Sequence, residues 1–278
     1  MRGKTVVITG ATSGIGAVAA RRLAEQGARI VIIARDRQRA ETTLRELRAV
    51  NAQQAHTAFY ADLSRLSEMK RAAAEIAAAE PKIDVLMNNA GLVSGRNRKT
   101  EDGLGLMFAV NHLSYFVLSN LLLGPLRAAG GARIVSTASD AHRRAQLDFD
   151  RLQEQTGMTG YSTTKLCNIL FTRELARRLS GTGVTTNCLH PGFVATRFGD
   201  DAGGALRAGI AVAKRLFALS PEEGAQTMVY LASAAEVAGR SGGYYERCAP
   251  AEPTRAAQSD ADARRLWEVS AQIVGIGG

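Results

Sequence analysis

Thr5-Val6-Val7-Ile8-Thr9-Gly10-Ala11-Thr12-Ser13-Gly14-Ile15-Gly16 runs a β-branched apolar segment straight into a turn with three glycines. Val18, Ala19, Leu23 and Ala24 continue it at the spacing of a helix face. Glycines in such a strand–turn–helix unit remove side chains where backbone N–H groups and the positive end of a helix must approach a pyrophosphate. Gly10, Thr12, Ser13, Gly14, Ile15 and Gly16 are therefore the expected phosphate cradle. A tight turn that binds nothing is the plain alternative. The spacing is not G-x-G-x-x-G, and the absence of a following Lys-Ser/Thr pair excludes a P-loop nucleoside triphosphatase.

Outward from this unit, short apolar runs recur at Arg29–Ala34, Thr57–Tyr60, Asp84–Asn88, Arg133–Thr137, Val184–Leu189 and Gly243–Glu246. They are continuously apolar, as strands covered on both faces must be. Helical periods lie between them, near 15–27, 37–50, 65–79, 103–123, 160–180 and 221–235. The alternation predicts one doubly wound α/β domain over 1–278, Rossmann-type, with about seven parallel strands and helices on both faces. Ser220-Pro221-Glu222-Glu223 carries the signals of a helix start, and Ser259 is placed to cap a last helix near 259–274. Two irregular stretches, 139–159 and 191–204, each follow a strand's carboxyl end, where sheets of this kind bind ligands.

The end of the second strand bears on which dinucleotide would fit. A carboxylate there binds a free ribose 2′-OH, whereas an arginine accommodates a 2′-phosphate. The sequence places Ala34 where the acid is expected and Arg35 after it, which points to NADP, with NAD left open by Asp36. Asp36 also reads as the N-cap of the next helix.

Composition narrows the remaining classes. The chain has 278 residues, 46% hydrophobic and 22% charged, enough to bury a large core. Three widely spaced cysteines and four histidines form no metal or disulfide pattern, so no metal is expected and a reducing, cytoplasmic setting is. No apolar stretch has the length of a signal peptide or membrane span, so no membrane anchor is expected. The charge of +9 is scattered in short patches such as Arg96-Asn97-Arg98-Lys99 and His142-Arg143-Arg144, which fits a solvated surface better than a nucleic-acid footprint.

One pair stands out chemically. Tyr161-Ser162-Thr163-Thr164-Lys165 sets a phenol and an ammonium one helical turn apart. A phenol with its usual pKa near 10 exchanges protons poorly at neutral pH, and an adjacent ammonium stabilises its anion. An exposed helical pair is the bland reading.

With the glycine turn, Asp62-Leu63, Asn88-Asn89-Ala90-Gly91, Asn111, Ser139 and Pro191-Gly192, this pair resembles the short-chain dehydrogenase/reductase family from about residue 4 to 249. Ala34-Arg35-Asp36, Val110-Asn111-His112-Leu113, the stretch Asn168–Ala176, His190-Pro191-Gly192 and the tail Leu266–Ser270 look like its retinol-dehydrogenase branch and bacterial relatives. The resemblance implies an NAD(P)-dependent enzyme acting on CH–OH donors. Tyr161 would pass a proton to or from the substrate oxygen, and Lys165 would lower its pKa and bind the nicotinamide ribose. Ser139 would hydrogen-bond the same oxygen, and Asn111 would hold a water linking Lys165 to solvent. Asp62 and Leu63 would lie beside the adenine, Asn88, Asn89, Ala90 and Gly91 along the cofactor, and Pro191, Gly192, Val194 and Thr196 around the carboxamide. Structural roles compete at several of these positions: Asn88 and Asn89 as strand ties, Pro191-Gly192 as a turn. The wide separation of Ser139 from Tyr161 makes Ser162, Ser136 and Thr137 secondary candidates for the serine role.

Between Phe193 and Leu219, Leu206, Ile210, Ala213, Leu216 and Phe217 recur at helical spacing and suggest an apolar lid. The expected substrate is thus an apolar alcohol or its aldehyde or ketone. A noncatalytic NADP-binding regulator of the same fold is the alternative. Gly239-Arg240-Ser241-Gly242-Gly243 fits G-x-S-x-G, but a helix precedes it and no histidine follows, which excludes a hydrolase of that type. The helices near 103–123 and 160–180 offer pairing faces for a homodimer or homotetramer.

Overall fold

The computed structural model describes residues 1–192 and 219–277. The apolar runs form β1 (Thr5–Thr9), β2 (Arg29–Ala34), β3 (Thr57–Tyr60), β4 (Val85–Asn88), β5 (Arg133–Thr137), β6 (Thr185–His190) and β7 (Tyr244–Glu246). They lie in one sheet of order β3-β2-β1-β4-β5-β6-β7-β8. The first seven pair in parallel. The expected seven strands become eight because Arg247 and Cys248 both take left-handed backbone, φ 49° and 62°, and fold β8 (Ala249–Pro250) back antiparallel to β7. Two successive positive φ values are the signature of a tight hairpin, normally written with Asn or Gly, so the sequence carries no such signal.

Alternation across the pleat explains why the strand runs are apolar throughout. Val7, Val31, Leu86 and Ile134 enter one core, and Val6, Ile8, Ile30, Ile32, Met87 and Val135 enter the other. The second core is closed by α1 (Gly14–Glu25), α2 (Arg37–Val50) and, further along, α9 (Gln226–Ser233). The first is closed by α3 (Leu66–Ala79), α5 (Ser114–Leu121), α7 (Gly157–Arg178) and α10 (Asp260–Val274). The short helices α4 (Leu106–Phe108), α6 (Leu123–Ala128) and α8 (Pro221–Gly224) complete the set.

The local signals hold at the helix starts. Ser220 and Glu223 form a capping box, the Ser259 hydroxyl accepts from the Asp262 N–H, and the Asp36 carboxylate accepts from the Arg39 N–H. The helix expected over 103–123 differs. It begins at Leu106, widens into a π-turn at Ala109–Leu113, resumes as α5 and passes into α6. A side chain at Gly105 would meet the Gln153 carbonyl oxygen at 2.2 Å, so residues 103–105 pack as an entry turn instead of helix. The Ser241 hydroxyl accepts from the Thr186 N–H at 3.1 Å and serves the sheet.

Strand order reverses at β1: chain growth runs outward through β2 and β3, then returns to β4 on the other side. The carboxyl ends of β1 and β4 therefore diverge into a crevice, the place where such sheets accept ligands.

Candidate active site

A cleft of about 1140 Å³ opens at that reversal. Its described walls include Gly10, Thr12, Ser13, Gly14, Ile15 and Gly16 at one end, and Ser139, Tyr161 and Lys165 at the other. Arg35, Asp62, Leu63, Asn89, Ala90, Gly91, Pro191 and Gly192 line it too. Val194, Thr196 and the expected lid over 193–218 lie outside the described residues.

At the glycine turn the conformational demand is direct. Gly10 has φ +70°, and a side chain there would lie 2.9 Å from Asn89 Nδ2; one at Gly16 would lie 2.3 Å from the Gly10 carbonyl oxygen. The turn can pack on β4 only with hydrogen at both positions. Ser13 precedes α1 without a side-chain capping bond, leaving the amides of the first turn uncapped by it at the edge of the cleft. This shape and polarity fit a pyrophosphate.

Beyond β2, Arg35 is exposed in the cleft wall and Asp36 is occupied as the α2 cap. Arg39 joins Arg35 there. Sequence reasoning missed Arg39; the signal was its place one turn after Arg35 at a helix start. Asn88 is buried, its Nδ2 donating to Ser119 Oγ at 2.9 Å. Asn89 spans three strand ends: Nδ2 donates to the Thr9 carbonyl at 3.1 Å and Oδ1 accepts from the Thr137 hydroxyl at 3.3 Å. Gly192, at φ +85°, turns the chain against Leu219.

The reacting end is built on α7, which starts at Gly157, three residues before the expected boundary, so Tyr161 stands in its second turn. Gly160 permits this, since a side chain there would strike the Gln155 carbonyl oxygen at 2.4 Å and Met107 Cε at 2.5 Å. Ser139 follows β5 and caps the short 3-10 turn Asp140–Arg144, and its side chain comes near enough to the Tyr161 phenol to draw the phenol's pKa down. Lys165 is buried, 2% exposed, and Nζ donates to the Thr137 carbonyl at 2.8 Å. The same Nζ lies 5.5 Å from the Tyr161 ring centroid. Asn111 occupies the middle of the π-turn. Its Oδ1 accepts from the Leu92 N–H at 2.8 Å, and its Nδ2 donates to the Leu92 carbonyl at 2.9 Å and to Thr164 Oγ1 at 3.1 Å. Asn111 Oδ1 and Lys165 Nζ approach Gly91 from one side, 3.5 and 3.6 Å from where its Cβ would be. A single-turn π insertion carrying a polar residue beside a cleft is a common mark of a functional position.

Burial dominates the titration of the two groups at the reacting end. It pushes the phenol up to about 12, with Ser139 acting the other way. Burial also pulls Lys165 down to about 7. Lys165 Nζ donates to the Thr137 carbonyl, and removal from water is the largest cause of the shift at both groups. Ser162 is buried along the cleft, Thr137 serves Lys165 through its carbonyl, and Ser136 is buried beneath, whereas Ser139 is the serine-role candidate that acts on the Tyr161 pKa.

The sequence matches the family model described as short chain dehydrogenase over residues 4–204. The chain belongs to the short-chain dehydrogenase family. Human retinol dehydrogenase 14 is 42% identical over 299 residues, with 99% of this chain and 88% of that protein covered. Human retinol dehydrogenase 13 is 39% identical, covering 99% and 85%. A crystal structure of an uncharacterized protein from Mycobacterium paratuberculosis superposes with a TM-score of 0.79 at 30% identity, covering 99% of this chain and 94% of the other. A short-chain dehydrogenase from Burkholderia cenocepacia J2315 in complex with NADP gives a TM-score of 0.70 at 27% identity, covering 87% and 95%. This short-chain dehydrogenase is thus an NAD(P)-dependent oxidoreductase of the retinol-dehydrogenase-like branch, interconverting alcohols and carbonyl compounds of small size. Among its described residues, no helix is long and apolar enough to cross a membrane, and no group of three or more His, Cys, Asp or Glu is arranged to hold a metal ion.

Proposed function

We propose that the enzyme is an NADP-preferring oxidoreductase of apolar alcohols and their aldehydes or ketones, with Tyr161 as the general acid and base. The carrying observation is that one cleft is lined by the glycine turn at one end and by Ser139, Tyr161 and Lys165 at the other. A bound nicotinamide dinucleotide supplies the hydride acceptor or donor. Gly10, Gly14 and Gly16 would cradle its pyrophosphate, Arg35 and Arg39 a 2′-phosphate, and Lys165 the ribose nearest the reacting ring.

For reduction, burial keeps Tyr161 as the phenol, the form that donates a proton to the oxygen of a carbonyl as negative charge develops on it. Ser139 holds that same oxygen in place. The phenolate left behind is stabilised by Lys165 at the ring face. Asn111 fixes the Leu92 backbone beside Lys165, where the proton must return from solvent. Leu92, Val93, Leu106, Val110 and Met158 line the cleft and favour an apolar substrate.

Tyr161→Phe is expected to lower kcat for aldehyde reduction by roughly 10²–10⁴-fold while leaving NADPH binding, read by nucleotide fluorescence, unchanged. Retained turnover would refute the assignment. Arg35→Ala and Arg39→Ala are expected to raise KM for NADP far more than for NAD, because only the former carries the 2′-phosphate. Equal effects on both would remove the NADP preference from the reading.

A further inference from the structure

One buried histidine near the reacting pair has no role in the chemistry above. His142 is 0% exposed, in the 3-10 turn that Ser139 caps. Its Nδ1 lies 2.7 Å from the Ser139 carbonyl oxygen, and the Thr254 N–H donates to its Nε2 at 3.3 Å. A carbonyl oxygen only accepts and a backbone amide only donates, so the two contacts together admit a single proton arrangement: Nδ1–H donating to Ser139, Nε2 accepting from Thr254. Burial holds the ring below its usual pKa and so favours this neutral form. The ring also meets Tyr244 of β7 edge-on, centroids 5.3 Å apart. The Ser139 carbonyl receives a second bond, from the His142 N–H at 3.1 Å, while the Ser139 hydroxyl accepts from the Ala141 N–H at 3.2 Å. Two rigid donors on the carbonyl and a ring wedged against β7 leave the serine little rotational freedom.

We propose that His142 is a positioning residue of this enzyme, clamping the Ser139 backbone to the segment around Thr254 and so setting the angle at which the Ser139 hydroxyl meets Tyr161. The inference rests on the reading of Ser139 and Tyr161 as the reacting pair. It also gives the chain that follows β8 a function: that segment is the anchor on which the serine loop is aligned.

The two ring nitrogens can be replaced separately. Asn at position 142 puts its amide nitrogen near the place of Nδ1 and keeps the donor to Ser139, whereas Gln puts its amide near Nε2 and forfeits that donor. With decanal and NADPH as probes and the full chain as catalyst, His142→Gln is expected to lower kcat about tenfold or more with both KM values within about twofold, since small misplacement of a reacting group is costly. His142→Asn is expected to keep kcat within about threefold of the parent. In a Ser139→Ala background, His142→Gln is expected to add no further loss, the sign that it acts through the serine. A merely structural role predicts instead that both variants lose stability alike with kcat per folded molecule unchanged, and that outcome overturns the proposal. So does a loss in the double variant equal to the product of the two single losses. Where His142→Gln does not fold, His142→Phe, which keeps the ring against Tyr244 without either hydrogen bond, is held to the same kcat criteria. Full activity of Ser139→Ala is the separate result that removes the reading of the reacting pair itself.

Discussion

Lys165 shows how one side chain trades stability for chemistry. Its ammonium is withdrawn from water and carries one hydrogen bond, to Thr137, with no carboxylate beside it in the salt-bridge network of the described residues. Its folded pKa of about 7 lies below the roughly 10.4 of an unfolded lysine, so between those values the unfolded chain binds more protons. Stability should therefore rise with pH from about 7 toward 10, the reverse of a lysine that gains a carboxylate partner. Lys165→Met, apolar and of similar length, is expected to be more stable than the parent at pH 7 and to lack this rise. Urea unfolding of both proteins without nucleotide, at pH 7 and 9.5, checks it; parallel pH dependences would show that the lysine is not the source. The same burial accounts for a phenol held up at about 12, since each group loses solvation of its charged form.

At the scale of an element, α7 carries the site because its first turns are packed without side-chain bulk. An alanine at Gly160 would gain helix propensity of about 1 kcal/mol. The close approach to the Gln155 carbonyl outweighs that gain, because backbone cannot swing aside as a flexible side chain can. Gly160→Ala is expected to destabilise by roughly 1–3 kcal/mol and to reduce kcat, as Tyr161 is the next residue. A urea midpoint at or above the parent's would show that the 153–156 loop yields freely. The π-turn is the second such element. It sets Asn111 against Leu92 and, one residue on, buries His112, whose pKa burial pushes down to about 3 and whose Nε2 lies 2.8 Å from Ser270 Oγ of α10.

Across the whole molecule, α10 ties the end of the chain to the core beneath the site. Trp267 is 5% exposed, meets Phe116 at 4.7 Å and Phe171 at 6.0 Å between centroids, and lies under the Arg178 guanidinium at 4.3 Å. Phe171 and Arg178 belong to α7, so this cluster fixes the helix that presents Tyr161 and Lys165. Trp267→Ala is expected to cost about 3–5 kcal/mol and to lower Tm by roughly 10 °C in a chain of this size. Thermal denaturation measures it, and a drop below about 2 °C would mean that the cluster collapses into the space left.

Much of this was legible in the residues before any coordinates. Apolar runs between helical periods fixed a doubly wound sheet, since strands covered on both faces have no other composition. The caps at Asp36, Ser220 and Ser259 were local hydrogen bonds that local sequence is enough to specify. The glycine turn and the Tyr161 and Lys165 spacing were visible because each is made within one turn of chain. What the tertiary structure alone decided are the long-range meetings: Arg39 beside Arg35 in the cleft wall, Lys165 on the Thr137 carbonyl, and His142 between Ser139 and Thr254. It also decided the sign of the tyrosine's shift. Sequence shows which charges are neighbours, but the cost of taking them out of water depends on what the rest of the chain packs around them.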